Sequence, residues 1–333
     1  RILAVLGIAW LLAASMPKLP LPLPIGVDGA WYYALNLIHR DGGRIGPDVV
    51  FTMGPLGYLT VPDPEITPWW QPLLLRVIAW AGLAWGILRL SRVWPEWAAL
   101  GAAAVLGSAA LLAYHYPDVW QASYLAALLA CAAAPSVAAY VIAGVLTGIT
   151  LLLKANEALL AFAIYTVLLI ARRRVLPRGG LWLLAIPFAI LLAGAWAVNG
   201  GAGTVIPYLF WALEVVRGYT EAASIAGPLW QLGLFLMLWG CLLAVALMDS
   251  GLSCLRHPAF WCALLQAFQS FKHGFVRQDG HFDLALLKLA ASGLFLLAAL
   301  RQEMFRKALV LMALLGCGFT WFYMADVRTP HFR

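Results

Sequence analysis

The sequence predicts an all-α, polytopic transmembrane protein, on three observations. Its residues are 63% apolar and only 11% charged, whereas soluble domains carry roughly 25% charge. Its apolar stretches run unbroken for about 15 to 20 residues, the length a helix needs to cross hydrocarbon, instead of alternating over about 10 residues as in a β-barrel. Its basic residues gather at the ends of those stretches, as in Arg172-Arg173-Arg174, which is the pattern of a topology signal. The same composition excludes a soluble globule, a disordered chain, collagen and a coiled coil. The net charge of +7 therefore does not point to nucleic acid.

Taken in order, the apolar runs place helices near 2–16, 72–93, 97–114, 119–134, 136–153, 156–171, 180–198, 229–248, 258–271, 284–300 and 308–325, about 11 transmembrane helices in a single domain over 1–333. The run 2–16 ends in Met16-Pro17-Lys18 without a small-x-small cleavage site, so it reads as a helix and not as a signal-peptide core. Arg1, Arg89, Arg92, Arg172, Arg173, Arg174, Arg178, Arg256, Arg301, Arg306 and Lys307 all fall on one side of this layout, with only Glu96, Asp249 and Glu303, a balance of +8. That side is expected to be cytoplasmic, and the other, with a balance of −1, exoplasmic. Two exoplasmic connections are long, 17–71 and 199–228, and long polar loops with interspersed aromatics are where binding and chemistry are usually carried. The chain starts with Arg and not Met, and both native termini are expected to lie outside it. All five cysteines sit in apolar runs or beside Arg256 without a Cys-x-x-Cys pair, so free thiols are expected.

The first long loop opens with Pro17, Pro20, Pro22 and Pro24, which extend the chain, and reaches Asp28 at a turn-to-helix junction. Trp31, Ala34, Leu35 and Ile38 then recur at helical spacing, with Asn36, His39 and Arg40 turned away, an amphipathic helix suited to the membrane interface. Asp28 reads either as the N-cap of that helix or as a general base taking a proton from an acceptor hydroxyl, and the two roles are compatible. Phe51 to Leu59, punctuated by Gly54, Pro55 and Gly57, cannot be one regular helix and is expected to pack back onto the membrane surface.

Three further groups carry polar side chains to membrane depth. Lys154 and Glu157 interrupt an apolar stretch, as an i,i+3 ion pair or with Lys154 as a cation for an anionic headgroup. Ser270 to His281 crowds Lys272, His273, Arg277, Asp279 and His281 where a helix leaves the membrane. This segment reads as a solvated loop or as a phosphate site in which Lys272 and Arg277 converge with His273 and His281; zinc is weaker, because no His-x-x-x-His sets the ligand geometry. The 199–228 loop holds Tyr208, Trp211, Glu214, Arg217, Tyr219 and Glu221, groups that suit sugar recognition or an aromatic belt. His115, Pro117 and Asp118 cap another exoplasmic helix end or line the same cleft.

This layout resembles the GT-C superfamily of membrane glycosyltransferases, in which a first helix leads into a long exoplasmic loop with an early acidic residue and interfacial helices. Asp28 matches that acid, and Gly54-Pro55-Leu56 looks like the family's Pro-containing segment. Asp28-Gly29-Ala30-Trp31, Phe51 to Gly57, Arg217 to Ala222 and Phe271 to Arg277 look like motifs of bacterial proteins of this group. The resemblance implies inverting transfer of a sugar from a polyprenyl-phosphate carrier to an exoplasmic glycan, lipid or protein acceptor, in a bacterial inner membrane with the active face periplasmic. Asp28 would be the catalytic base. Lys272, Arg277, Lys154 and His273 would hold the donor phosphate, and Tyr219, Glu221, Trp31 and His281 the substrate. No nucleotide-binding motif is required, and no cofactor is indicated. Asp28 is followed by Gly where a second acid would favour a divalent metal, and no C-terminal exoplasmic domain is visible. Two other classes remain open: a lipid or solute transporter, and a non-catalytic membrane subunit with a partner in a larger complex.

Overall fold

The computed structural model describes residues 2–14, 27–112, 118–278 and 281–328. It is all-helical, with no strand among the described residues and two isolated β-bridges, Ile45 with Val49 and Ile225 with Arg277. The helices are α1 (Ile2–Ala14), α2 (Val27–Arg40), α3 (Trp70–Leu90), α4 (Glu96–Leu112), α5 (Asp118–Ala133), α6 (Val137–Leu153), α7 (Ala155–Arg172), α8 (Ala185–Val198), α9 (Val205–Ala223), α10 (Leu229–Ser250), α11 (Pro258–Val276), α12 (Phe282–Leu297) and α13 (Glu303–Arg328). Each apolar run predicted to be helical is a helix. Among the described residues, three segments are long and apolar enough to cross a membrane, Trp70–Leu90, Leu181–Val198 and Leu229–Arg256, and Val119–Ala133 and Val137–Leu153 are shorter apolar helices.

The molecule is apolar on its outer face as well as in its core. On α8, Pro187, Leu191 and Ala195 are buried, while Phe188, Leu192 and Trp196 cover the outer face, with Trp196 75% exposed. An outer face that apolar is stable only against lipid or another apolar surface. The centre of the bundle is α5 and α12. Every residue from Trp120 to Ala132 is buried, as is every residue of α12 except Leu284. Small side chains allow these backbones to approach closely, as where Gly86 of α3 packs on Ala126 of α5.

The first long loop folds around a polar side chain. Asn36, fully buried in α2, donates to the Tyr32 and Val61 carbonyls, both at 2.8 Å, and accepts from the Asp63 amide at 3.0 Å and the Thr67 hydroxyl at 2.6 Å. His39 stacks on Tyr58 with ring centroids 3.7 Å apart. The expected face of α2 is therefore corrected. Tyr32, Leu35 and Asn36 point inward and Ala34 is exposed, because irregular backbone from 58 to 67 needs side-chain hydrogen bonds that only a polar residue supplies. The second correction concerns 199–228, expected as a loop, which contains the 19-residue helix α9. Its Tyr208 and Ala212 are buried, and Ile206, Phe210 and Leu213 are exposed.

The two long connections lock together. Asn199 accepts from the Ile45 amide at 2.8 Å and donates to the Ile45 carbonyl at 2.9 Å. Gly46, with φ +101°, lies so close to Tyr208 that a Cβ there would sit 2.5 Å from the Tyr208 Cα. At the opposite, arginine-rich end, Asp249 accepts from the amides of Arg301 at 2.9 Å and Gln302 at 2.7 Å. These bonds tie α10 to the turn between α12 and α13.

Candidate functional site

The site begins with a break in the chain. α6 stops at Leu153 and α7 starts at Ala155, with Lys154 extended between them at φ −159°, ψ 103°. A helix end leaves carbonyls without partners in its last turn, and here the last turn of α6 is completed largely from elsewhere. The Leu153 and Leu152 carbonyls accept from the Gly54 and Leu56 amides, each at 2.8 Å. The Leu151 carbonyl accepts from the Tyr208 hydroxyl at 2.5 Å, and the Thr150 carbonyl from the Lys154 amide at 2.8 Å. Gly54 has to be glycine: a Cβ there would lie 2.6 Å from the Tyr208 hydroxyl and 2.8 Å from the Leu152 carbonyl carbon. The Gly-Pro-Leu segment of the first loop thus caps α6, and the break it permits turns Lys154 into the bundle.

Behind that break lies a buried cluster of charge. Glu157, in the first turn of α7 where the helix dipole favours an acid, is 6% exposed. Its Oε1 is 3.3 Å from Lys154 Nζ and 3.8 Å from Lys288 Nζ. Lys288, also 6% exposed, projects from α12. Its Nζ is 3.3 Å from His273 Nδ1 on α11, and the His273 and His281 ring centroids are 5.3 Å apart. α11 and α12 are held close enough for this by the Ser270 hydroxyl, which donates to the Ala285 carbonyl.

The protons in this cluster follow from donor and acceptor chemistry. An ammonium only donates, so His273 Nδ1 facing Lys288 accepts and the imidazole proton resides on Nε2. That Nε2 is buried with no hydrogen-bond partner among the described residues. Among the described residues the site therefore brings the Lys154 and Lys288 ammonium groups to the Glu157 carboxylate, beside the His273 imidazole. Ammonium groups and an imidazole N–H fixed in a buried place form an arrangement that can receive an anionic oxygen.

Of the expected phosphate ligands, Lys154 and His273 meet here, joined by Glu157 and Lys288; the i,i+3 pairing of Lys154 with Glu157 is also present. Lys272 does not join them. Consecutive helical residues point about 100° apart, and Lys272 Nζ turns to α9, 3.4 Å from the Val216 carbonyl. Arg277 ends α11 inside a backbone clasp in which the Ile225 amide donates to Val276 at 2.9 Å and the Gln278 amide to Ile225 at 3.1 Å. The expected convergence of Lys272 with His273 and His281 is thus replaced by convergence of Lys288. His281 is half-buried beside His273. Tyr219 and Glu221 are exposed on the last turns of α9, and Trp31 packs edge-on to Tyr32 at 4.1 Å and against Phe51 at 5.4 Å.

α2 begins at Val27, which puts Asp28 inside the first turn and not ahead of it. The Asp28 side chain lies outside the described residues, as do the Asp118 side chain and His115, Pro117, Asp279 and Gly280. Among the described residues no three His, Cys, Asp or Glu side chains gather as a metal site. Lys288 was absent from the sequence expectations, although a lone lysine inside Phe282–Leu297 is itself the signal, since an ionisable residue at membrane depth is costly and marks function.

Compared with protein-family models, curated proteins and solved structures, the chain matches none.

Proposed function

We propose that the protein is a GT-C-like membrane glycosyltransferase with about eleven spans, moving a sugar from a polyprenyl-phosphate carrier to an exoplasmic acceptor at the periplasmic face of a bacterial inner membrane. The observation that carries this reading is the buried cluster of Lys154, Lys288 and the unpartnered His273 Nε2–H around Glu157. In such a transfer the acceptor oxygen attacks the anomeric carbon, and the carbon–oxygen bond to phosphate breaks with its electron pair leaving on the phosphate. The growing negative charge meets groups fixed beforehand in a water-poor site, which is where electrostatic stabilisation is most effective. Asp28 is the base for the acceptor proton. Its helix is bound through Asn36 to the loop whose Gly54 and Leu56 cap α6 beside Lys154, which supports this pairing of base and phosphate site.

The test is turnover of radiolabelled polyprenyl-phosphate sugars by purified protein in lipid nanodiscs, with a membrane extract as acceptor source. Label moves to acceptor with the native protein. Asp28→Asn lowers the rate by about 100-fold or more, the usual worth of a general base. Lys288→Met abolishes transfer in protein that remains folded. Full activity in Asp28→Asn rejects the base, and no transfer across a broad panel of sugars by folded protein rejects the enzyme reading.

A further inference from the structure

At the end of the molecule opposite the Glu157 cluster, α7 finishes at Arg172 and runs on into Arg173 and Arg174, while Arg256 and His257 lead into α11. His257 is the N-cap of α11, and its Nδ1 accepts from the Ala259 amide at 3.3 Å. A ring nitrogen that accepts carries no proton, so the His257 proton is on Nε2. Burial and the neighbouring Arg172 guanidinium hold this imidazole below its usual pKa, which keeps it neutral. Arg172 Nη2 stands 3.5 Å from His257 Nε2. Both of these groups are donors, and two donors do not bond to each other. Arg172 Nε is also buried with no hydrogen-bond partner.

Arg172 Nε and Nη2 and His257 Nε2 therefore present neighbouring N–H groups that are not paired with an acceptor among the described residues. Arg173, Arg174 and Arg256 stand exposed around it, and none of these four arginines is ion-paired among the described residues. The nearby acids in the sequence are otherwise engaged: Asp249 accepts from the Arg301 and Gln302 amides, and Glu303 pairs with Lys307 at 2.8 Å. We propose that Arg172 and His257 form a phosphate-binding site for the headgroup of an anionic phospholipid in the leaflet at the arginine-rich end. The ligand chemistry is a phosphate oxyanion at a helix boundary flanked by lipid-facing surface, with Val175 and Leu252 exposed at 66% and 75%. A guanidinium recognises it with a planar fork, and basic pockets between membrane helices hold such headgroups. This inference rests on the membrane placement of the chain and not on its catalytic activity.

Native mass spectrometry of the detergent-solubilised full chain tests it, with phosphatidylglycerol, phosphatidylcholine and sodium phosphate offered in separate arms. The protein retains one phosphatidylglycerol about tenfold more tightly than phosphatidylcholine, the scale of one charge-assisted hydrogen bond. Arg172→Gln loses that preference, and so does His257→Asn, which keeps an N-cap acceptor for Ala259 while removing the Nε2 donor. Because the asparagine preserves the cap, its effect does not depend on a folding defect. Equal retention of the two lipids, or undiminished phosphatidylglycerol binding in both variants, overturns the site. Displacement of the lipid by millimolar sodium phosphate assigns the pocket to free phosphate and overturns the lipid assignment.

Discussion

Removing the charge of Glu157 separates the two things its cluster does. Lys154 and Lys288 lie 3.3 and 3.8 Å from the same carboxylate oxygen, so at an effective dielectric of about 20 each pair is worth about 5 and about 4 kcal/mol of attraction before desolvation. Glu157→Gln keeps the shape and cancels both, and it leaves two ammonium groups facing each other in a buried site. Losing one partner of a buried ion pair costs about 3–5 kcal/mol. At roughly 2 °C per kcal/mol, the apparent melting temperature followed by fluorescence size-exclusion chromatography falls by about 6–10 °C. Lys288→Met is different, because it leaves Lys154 and Glu157 as a matched pair and replaces a buried cation with a side chain of similar length. Its melting temperature stays within about 2 °C of the native protein, while anion binding is lost. The expected stability order is native, Lys288→Met, Glu157→Gln. A Glu157→Gln protein that melts with the native one, or a Lys288→Met protein that falls as far as Glu157→Gln, refutes the reasoning.

Asn36→Leu strips partners from the Val61 carbonyl, the Asp63 amide and the Thr67 hydroxyl. At about 1 kcal/mol for each bond, hydrogen exchange across 61–67 accelerates by roughly 100-fold, and unchanged protection removes Asn36 as the hub of the loop. Burial holds the His39 imidazole below its usual pKa, so its packing on Tyr58 is at full strength above the ordinary histidine range and weakens as pH falls through it, when the unfolded loop takes up the proton first. Tyr58 protection measured from pH 8 to 5 shows this loss, and His39→Phe, which keeps the stack, abolishes the pH dependence. Gly54→Ala forces apart the first loop and the end of α6, and limited proteolysis between 41 and 69 becomes faster; an unaltered digestion pattern shows that the cap is dispensable. A nitroxide at Leu192 is more accessible to oxygen than to a water-soluble nickel chelate, and the reverse order removes α8 from the bilayer.

The helices were legible because an apolar run of about 17 to 20 residues leaves the backbone little other choice once water is absent. α9 was not, because its apolar half, Ile206 to Leu213, is short and is followed by Glu214, Arg217 and Glu221; it is fixed by Tyr208 reaching α6, a bond no local pattern announces. The inward face of α2 escaped for the opposite reason, since ranking residues by hydrophobicity puts Asn36 outside when its four hydrogen bonds put it inside. At the site, Lys154, Glu157 and His273 were visible as charges interrupting apolar sequence. Their meeting depends on α7, α11 and α12 packing together, and that arrangement brought in Lys288 and turned Lys272 away.

The capping of α6 also bears on the order in which the chain is assembled. Gly54 and Leu56 have left the ribosome long before α6 is made, but the donor for Leu151 is Tyr208, which follows it by 57 residues. At about 5–20 residues per second, that carbonyl waits about 3–11 s for its partner to be made. During that interval the final turn of α6 lacks the hydrogen bond that Tyr208 donates to it. Chains truncated just before Tyr208 should therefore stall as insertion intermediates, with residue 154 open to aqueous maleimide once it is replaced by cysteine. Chains extended beyond α9 should close it.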